Sequence, residues 1–128
     1  MDYLFVYGTL RRNAEMHKVL QHQAEWISEA TIGGKLYLID WYPGLIKGTK
    51  QSERVKGEVY RLQNTDRVLF ELDQYEGYYP YDEAHSDYLR RLETVELTTG
   101  EQVKAWVYLY NLPTLGLPLI TSGDFLNR

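Results

Sequence analysis

Short strand-like runs make up most of the apolar sequence, and few helical segments separate them. Five stretches of apolar and aromatic residues are typical of strands: Tyr3–Tyr7, Ala24–Ile39 with an interruption at Gly33-Gly34, Val55–Leu62, Tyr88–Leu97 and Gln102–Tyr110. A doubly wound parallel sheet needs a crossover helix between successive strands, and this chain has too few helical segments to supply them. We therefore expect an α+β fold with a small mixed or closed sheet.

Two segments are typical of helices. Asn13 can cap a helix that ends near His22, and Asn64 or Thr65 can cap a second one. In the second segment the apolar residues follow helical spacing: Val68, Leu69, Leu72 and Tyr75. Gly77 is placed to end that helix. The sequence therefore predicts two main helices.

The connections carry turn residues. Trp41-Tyr42-Pro43-Gly44 and Thr99-Gly100 predict turns, and residues 78–87 form an aromatic and acidic loop. The tail from Asn111 contains two prolines and two glycines, and we expect it to wrap over the body without regular structure. A chain of 128 residues without a linker or an internal repeat predicts one domain, residues 1–128.

Charge and composition argue against several classes of protein. A net charge of −4 disfavours general nucleic-acid binding, which needs a basic face, and no apolar run is long enough to cross a bilayer. Asp2 stands where a signal peptide would be basic, and the absence of cysteine excludes disulfides and thiolate chemistry. We expect a cytoplasmic protein with neither nucleic-acid nor membrane partners. Twelve tyrosines against three phenylalanines suit pocket walls as well as strand faces.

The first candidate functional segment is Val6–Arg11, in which Gly8 directly follows a buried strand. A glycine at that position lets the backbone turn sharply and leaves successive N–H groups free to bind a carboxylate or a developing oxyanion. Thr9 adds a hydroxyl group. Turns that follow strands also contain glycine for geometry alone, so the spacing by itself leaves both interpretations open.

The second candidate is Glu76, which falls in the last turn of the second predicted helix. The helix dipole disfavours a negative charge there, and several tyrosines are close in sequence. Both features are expected to raise the pKa of its carboxyl group, as suits a general base that works near neutral pH. An exposed glutamate without a function is the alternative, and Glu71 and Asp73 on the same helix compete for the role.

The acidic segment Asp82–Asp87, with its single histidine, superficially resembles a metal site. It matches no established ligand spacing, and acidic loops are common for solubility alone. His17 and His22 are five residues apart, so they do not share one face of a helix. We therefore expect no metal site. No serine lies in a nucleophile elbow, which disfavours a serine hydrolase.

Taken together, these segments resemble the gamma-glutamylcyclotransferase-like family, including its small bacterial members. The motifs that carry the resemblance follow one another in the family's order: Val6–Arg11, Tyr42–Gly44, Val55–Tyr60, Leu72–Gly77, Tyr88–Arg91, Ala105–Tyr108 and Ser122–Phe125. Each motif is short, but their order is specific and they span nearly the whole chain. The resemblance implies a mixed sheet forming a small barrel, with two main helices and a cavity at one end.

The resemblance also implies a reaction and a site. Glu76 would be the catalytic general acid/base. The residues implied for substrate binding are Tyr7, Gly8, Thr9, Leu10, Tyr42 and Tyr88. In the implied reaction the α-amine of a gamma-glutamyl group attacks its own side-chain amide carbonyl, which releases 5-oxoproline and a free amine. The partner is then a small gamma-glutamyl molecule, and neither a metal nor an organic cofactor is expected.

The Tyr-Gly-Thr-Leu loop differs from the longer Tyr-Gly-Ser-Asn-Leu loop of the glutathione-metabolising branch. It resembles the branch that acts on gamma-glutamyl amines, so the resemblance favours such amines over glutathione. Two alternatives stay open, because a shared fold does not fix the reaction. One is a non-catalytic binding or regulatory domain that keeps the pocket. The other is an enzyme that removes a gamma-glutamyl cap from a carrier-bound biosynthetic intermediate.

Overall fold

A computed structural model describes residues 2–48 and 52–128. Within them lie six strands and one α-helix, in the order β1 (Tyr3–Val6), β2 (Ala24–Leu38), β3 (Pro43–Lys47), β4 (Arg54–Leu62), α1 (Thr65–Glu76), β5 (Tyr88–Leu97) and β6 (Gln102–Tyr110). Single turns of 3-10 helix occur at His17–Val19, Glu83–His85 and Phe125–Asn127. None of the helices in these residues has the length and apolar character needed to span a membrane.

Five of the strands close into a small barrel. The sheet order is β3-β2-β4-β1-β6-β5, and an additional pairing of β2 with β5 closes the ring and leaves β3 outside it. The pairing of β1 with β6 is parallel, whereas the other strand pairs are antiparallel. These pairings confirm the expected mixed sheet and small barrel.

Strand β2 is the longest strand because it serves both the barrel and the outer strand. Its first part pairs with β4 as far as Gly33, and its last part pairs with β3 from Gly34 onward. The strand is continuous through the two glycines, so the interruption expected there is wrong. A Cβ atom on Gly34 would lie 2.4 Å from the carbonyl oxygen of Ile46, so this close approach of β3 requires glycine.

Alternating residues of the strands build two apolar clusters on the two faces of the sheet. In β1, Phe5 belongs to the cluster inside the barrel, and Leu4 and Val6 belong to the cluster between the barrel and α1. The helix contributes Val68 and Leu72 to this second cluster, and both side chains are almost fully buried. Each side chain buried in this way contributes about 1.5–3 kcal/mol, which fixes α1 against the outside of the barrel.

The prediction of two main helices is wrong, because the described residues contain one α-helix. The segment from Asn13 to His22 forms successive turns instead, with one turn of 3-10 helix. Asn13 and His22 both have positive φ angles, 72° and 67°, which an α-helix does not accommodate. Burial of Leu20 holds the segment in place without a regular apolar stripe.

The turn predicted at Trp41–Gly44 is shorter than expected, since Pro43 and Gly44 already belong to β3. Proline lacks a backbone N–H group, and it is tolerated here because it is the first residue of an outer strand. The C-terminal tail follows the expectation for most of its length. It adds an isolated bridge between Tyr37 and Leu119 and the short 3-10 helix Phe125–Asn127.

Candidate active site

A cavity of about 210 Å³ lies where the loop after β1, the start of β3 and the end of α1 meet. All the residues predicted for the site lie in its lining: Tyr7, Gly8, Thr9, Leu10, Tyr42, Glu76 and Tyr88. The lining also includes residues that the sequence did not assign to the substrate site: Phe5, Val6, Trp41, Pro43, Tyr75, Asp87 and Tyr108. The fold therefore brings together in one cavity residues from distant parts of the sequence.

The spacing of the helix explains why Glu76 faces the cavity. Val68, Leu72 and Glu76 are four residues apart and lie on the same face of α1. The first two side chains are buried against the barrel, so the third points toward the barrel as well. Gly77 then ends the helix with a φ angle of 68°. The apolar face of α1 thus ends in a carboxyl group at the cavity wall.

The carboxyl group of Glu76 is half-buried and has no polar partner among the described residues. It makes neither a hydrogen bond nor an ion pair with any residue that the structure describes. Burial without such a partner raises the pKa of Glu76 to about 8. The direction agrees with the sequence prediction, but the cause is loss of hydration. The group is therefore mostly protonated at neutral pH, yet close enough to its pKa to give up or take a proton there.

The loop after β1 brings free backbone donors to the same cavity. The carbonyls of Gly8 and Thr9 accept hydrogen bonds from Arg11 N–H at 3.0 Å and Met16 N–H at 2.8 Å. The N–H groups of Gly8, Thr9 and Leu10, in contrast, donate to no acceptor in the described part of the chain. Such a run of free donors can bind an anionic oxygen. A Cβ atom on Gly8 would lie 2.6 Å from Cγ of Pro43, so the loop's approach to β3 requires glycine.

A buried ionic cluster holds this loop from behind. Arg11 donates to Glu58 at 3.1 Å and to Asp124 at 2.8 Å, and all of these side chains are buried. Glu58 also accepts hydrogen bonds from the backbone N–H of Arg12 at 2.8 Å and from the hydroxyl of Tyr60 at 3.0 Å. The cluster ties the loop to β4 and to the C-terminal tail, which makes the position of the loop a property of the whole fold.

The hydroxyl groups of the predicted tyrosines have different surroundings. Tyr7 donates to the carbonyl of Tyr108 at 2.6 Å and accepts from the N–H of Leu45 at 3.2 Å. Tyr88 donates to the carbonyl of Pro43 at 2.6 Å. Burial raises the pKa of Tyr7 and of Tyr88, so both phenols stay protonated. Their hydroxyl groups fix the cavity wall, and their rings shape it.

The structure also places an ionic pair directly behind the cavity. The hydroxyl of Tyr108 donates to Asp73 at 2.6 Å, and Arg90 forms two hydrogen bonds to the same carboxylate at 2.8 and 3.1 Å. Asp73 lies one turn before Glu76 on α1. From the sequence, Asp73 was predicted only as a competitor of Glu76 for the catalytic role. Its partners come from β5 and β6, and helical spacing alone does not reveal them.

The acidic segment Asp82–Asp87 does not assemble a cluster of ligands. Within residues 2–48 and 52–128, no three His, Asp or Glu side chains come together in a way that could hold a metal ion. His85 pairs with Asp82 at 2.9 Å, and both side chains are exposed. Of the residues in this segment, Asp87 lies in the lining of the cavity.

The chain is similar to known proteins over nearly its full length. A sequence model of the family described as "Gamma-glutamyl cyclotransferase, AIG2-like" matches residues 4–127. The gamma-glutamylcyclotransferase family protein YtfP of Escherichia coli strain K12 is 36% identical over 132 residues, which cover 98% of this chain and 96% of that protein. The gamma-L-glutamyl-butirosin B gamma-glutamyl cyclotransferase of Niallia circulans is 30% identical over 112 residues, covering 87% of this chain and 68% of that protein. The crystal structure of an AIG2-like protein from Mus musculus superposes with a TM-score of 0.72 at 26% identity, covering 93% of this chain and 85% of that chain.

Proposed function

The chain belongs to the gamma-glutamyl cyclotransferase, AIG2-like family, and on that premise we propose that it converts a gamma-glutamyl amine to 5-oxoproline and a free amine. The observation that carries the proposal is the carboxyl group of Glu76. It is unpaired among the described residues, has a pKa of about 8, and lies in the same cavity as the free N–H groups of Gly8 to Leu10. One group can accept and return a proton, and the other can bind an oxyanion.

The reaction depends first on how the substrate is folded in the cavity. The α-amine and the γ-carbonyl carbon belong to the same glutamyl group, so their meeting closes a five-membered ring. Holding them in contact gives the advantage of an intramolecular reaction, which reaches effective molarities of about 10⁵–10⁸ M in well-oriented cases. The rings of Tyr7, Tyr42 and Tyr88 in the lining would hold the substrate in this folded conformation.

Glu76 would then carry protons between the two nitrogen atoms. As the carboxylate, it removes a proton from the α-ammonium group, and the neutral amine attacks the γ-carbonyl carbon. The C–N bond of the lactam forms, and the C–N bond to the leaving amine breaks. The protonated carboxyl group returns its proton to the leaving nitrogen. Glu76 then takes the second proton from the new lactam nitrogen and passes it to the released amine, so two protons leave the α-nitrogen, two reach the leaving amine, and the reaction neither consumes nor releases acid.

The loop after β1 would stabilise the charge that develops during attack. The γ-carbonyl oxygen becomes negative in the tetrahedral intermediate, and the N–H groups of Gly8, Thr9 and Leu10 are donors without another acceptor in the described chain. A single donor of this kind is worth about 10²–10³-fold in kcat in other acyl-transfer enzymes. The buried cluster around Arg11 supports this role, because it fixes the loop before the substrate binds.

The names of the relatives bear on the leaving group. The Niallia circulans protein is described as a cyclotransferase of a gamma-glutamyl derivative of butirosin B. Together with the short Tyr-Gly-Thr-Leu loop, this relative supports a gamma-glutamyl amine as the substrate class.

The direct test is release of 5-oxoproline from a panel of gamma-glutamyl amines and dipeptides by the native protein and by Glu76→Gln. We expect release by the native protein and a loss of at least about 10²–10⁴-fold in kcat for the variant, because the amide can neither accept nor return the proton. Glu71→Gln is the matched control, since it makes the same change at a surface position of the same helix. Its rate should stay within about twofold of the native rate.

The outcomes separate the proposed reaction from a binding role. Substrate binding by both proteins without release of 5-oxoproline by either would favour a non-catalytic binding domain. Equal release by the native protein and by Glu76→Gln would remove Glu76 from the mechanism. Circular dichroism of each variant establishes that the loss of activity is not a loss of folding.

A further inference from the structure

The charge of the cavity lining has one sign. Among the lining residues that the structure describes, Glu76 and Asp87 are acidic, and no lysine, arginine or histidine is present. The carbonyl end of α1 lies beside these acidic side chains and contributes partial negative charge. The part of the cavity that these acidic groups line attracts cations and repels anions, and the low-dielectric walls strengthen the effect.

Asp87 is held in a fixed position at the exposed side of the cavity. Its N–H donates to the carbonyl of Gly77 at 3.0 Å, and its carbonyl accepts from the N–H of Asn111 at 2.9 Å. A Cβ atom on Gly77 would lie 3.0 Å from Oδ2 of Asp87, so the carboxylate packs against the residue that follows Glu76. This carboxylate has neither a hydrogen bond nor an ion pair among the described residues. It is free to bind a ligand.

The loop that carries Asp87 is rigid before any substrate binds. Ser86 is fully buried, and its hydroxyl accepts from the N–H of Tyr79 at 2.8 Å and donates to the carbonyl of Asp82 at 3.1 Å. The side-chain amide of Asn111 donates to the carbonyls of Glu83 and Ser86 at 3.0 Å each. Binding at Asp87 therefore requires little ordering of the loop, which preserves affinity.

Aromatic rings complete the exposed side of the cavity. Trp41 is in the lining, yet 50% of its surface is exposed. Its ring packs edge-on against Tyr42, with 5.4 Å between the ring centroids. The face of a tryptophan ring attracts an ammonium group and gives a carboxylate no favourable contact. The aromatic and acidic residues at this side therefore favour the same kind of ligand.

We propose that Asp87 and Trp41 form a subsite for the leaving amine, and that this subsite selects gamma-glutamyl amides whose leaving group carries a second, positively charged amine. The inference rests on the proposed function. With the reacting glutamyl group at the half-buried Glu76, the leaving group extends to the exposed side, where Asp87 and Trp41 lie. A leaving group with a carboxylate, such as a peptide C-terminus, meets like charge there.

Three gamma-glutamyl amides of equal chain length test the proposal. Their leaving groups are 1,5-diaminopentane, which is cationic, pentylamine, which is uncharged beyond the reacting nitrogen, and 5-aminopentanoate, which is anionic. We expect kcat/KM for 5-oxoproline release by the native protein to fall in that order, by about tenfold or more from the first to the last. In Asp87→Asn the ratio of kcat/KM for the cationic substrate to kcat/KM for the anionic substrate should drop about 3- to 10-fold.

Two further variants make the test specific. Glu101→Gln removes one surface charge at the turn between β5 and β6, at the opposite end of the hairpin from the pair of Tyr88 and Tyr110. It should leave the ratio unchanged. Trp41→Leu should reduce the preference for the cationic substrate by about 2- to 5-fold, since the cation–π contact is lost.

The experiment distinguishes failure of the charge preference from failure of the proposed reaction. Release of 5-oxoproline from all three amides at equal kcat/KM, or an unchanged ratio in Asp87→Asn, would overturn the charge preference and leave the proposed reaction standing. Release from none of the three would overturn the proposed reaction, and the charge preference with it.

Discussion

Glu58 and Glu76 lie on two sides of the same loop, and their carboxyl groups have opposite surroundings. Glu58 is buried behind the loop and accepts hydrogen bonds from the side chain of Arg11, the backbone of Arg12 and the hydroxyl of Tyr60. Glu76 is half-buried in front of the loop and accepts no hydrogen bond from the described residues. Among the described residues, the fold thus gives the first glutamate three hydrogen-bond donors and the second none.

The difference separates stability from function. A buried carboxylate with its partners in place keeps the fold intact, because removal of one partner leaves a charge buried without compensation. A buried carboxyl group without partners costs stability whenever it ionises, and such groups cluster where proton transfer is needed. In this molecule the paired glutamate holds the loop, and the unpaired one faces the cavity that the loop helps to form. The two environments make opposite predictions for mutation.

Removal of the arginine that pairs with Glu58 should have the largest effect on stability. Arg11→Met removes the common partner of Glu58 and Asp124 and leaves both carboxylates buried. We expect the free energy of unfolding to fall by about 3–5 kcal/mol, measured by denaturant titration at neutral pH. Arg67→Met is the matched control, because Arg67 forms an exposed pair with Glu71 on α1. It should cost less than about 0.5 kcal/mol. Equal losses in the two variants would contradict a structural role for the buried cluster.

Replacement of the unpaired Glu76 should stabilise the protein, and the gain in stability should depend on pH. Glu76 keeps its proton up to about pH 8 in the folded protein, whereas in the unfolded chain it ionises near 4.5. The folded state therefore binds the extra proton, and its stability falls as the pH rises from about 4.5 to about 8. Glu76→Gln removes this dependence. Relative to native protein, the variant should gain about 3–4 kcal/mol between pH 5 and pH 8, since one pKa unit corresponds to about 1.4 kcal/mol.

Parallel denaturant titrations of both proteins at pH 5, 6, 7 and 8 measure this gain. A constant difference across the series would show that the carboxyl group of Glu76 ionises at its ordinary pKa. We expect Glu76→Gln to lose activity and gain stability, whereas Arg11→Met should lose stability. This contrast would show that the unpaired glutamate serves the reaction and the paired one serves the fold.

Much of the fold could be predicted from local patterns in the sequence. Runs of apolar and aromatic residues predicted the strands at Val55–Leu62 and Gln102–Tyr110, and the apolar spacing with Gly77 predicted α1 nearly to the residue. The same reasoning failed at Asn13–His22 and at Pro43–Lys47. The first segment is set by hydrogen bonds to the loop, such as Met16 N–H to Thr9, and the second by pairing with β2. Both are tertiary effects that outweigh local propensity.

In the candidate site, too, some features could be predicted from local sequence and others could not. Residues next to recognisable motifs, such as Gly8 and Glu76, were predicted, and the structure brings them to one cavity. The partners of Arg11 were not, because Glu58 and Asp124 are 47 and 113 residues away in sequence. A contact across such a distance depends on how the barrel closes. The pattern that fixes closure is the pairing of β2 with β5, which local periodicity does not contain.

A third carboxylate sharpens the comparison, and it should show the smallest effect. Asp82 is paired, like Glu58, but its partner His85 is exposed, with 82% of its side-chain surface accessible. We expect His85→Ala to change the free energy of unfolding by less than about 0.5 kcal/mol and to leave 5-oxoproline release unaltered, because water solvates an exposed carboxylate when its partner is removed. The measurement is the same denaturant titration.

A loss above about 1 kcal/mol would mean that this pair, and not the buried Ser86, holds the loop that carries Asp87. A small loss would show that burial, rather than pairing itself, makes the Arg11 cluster indispensable: the same kind of contact matters only where water cannot replace it.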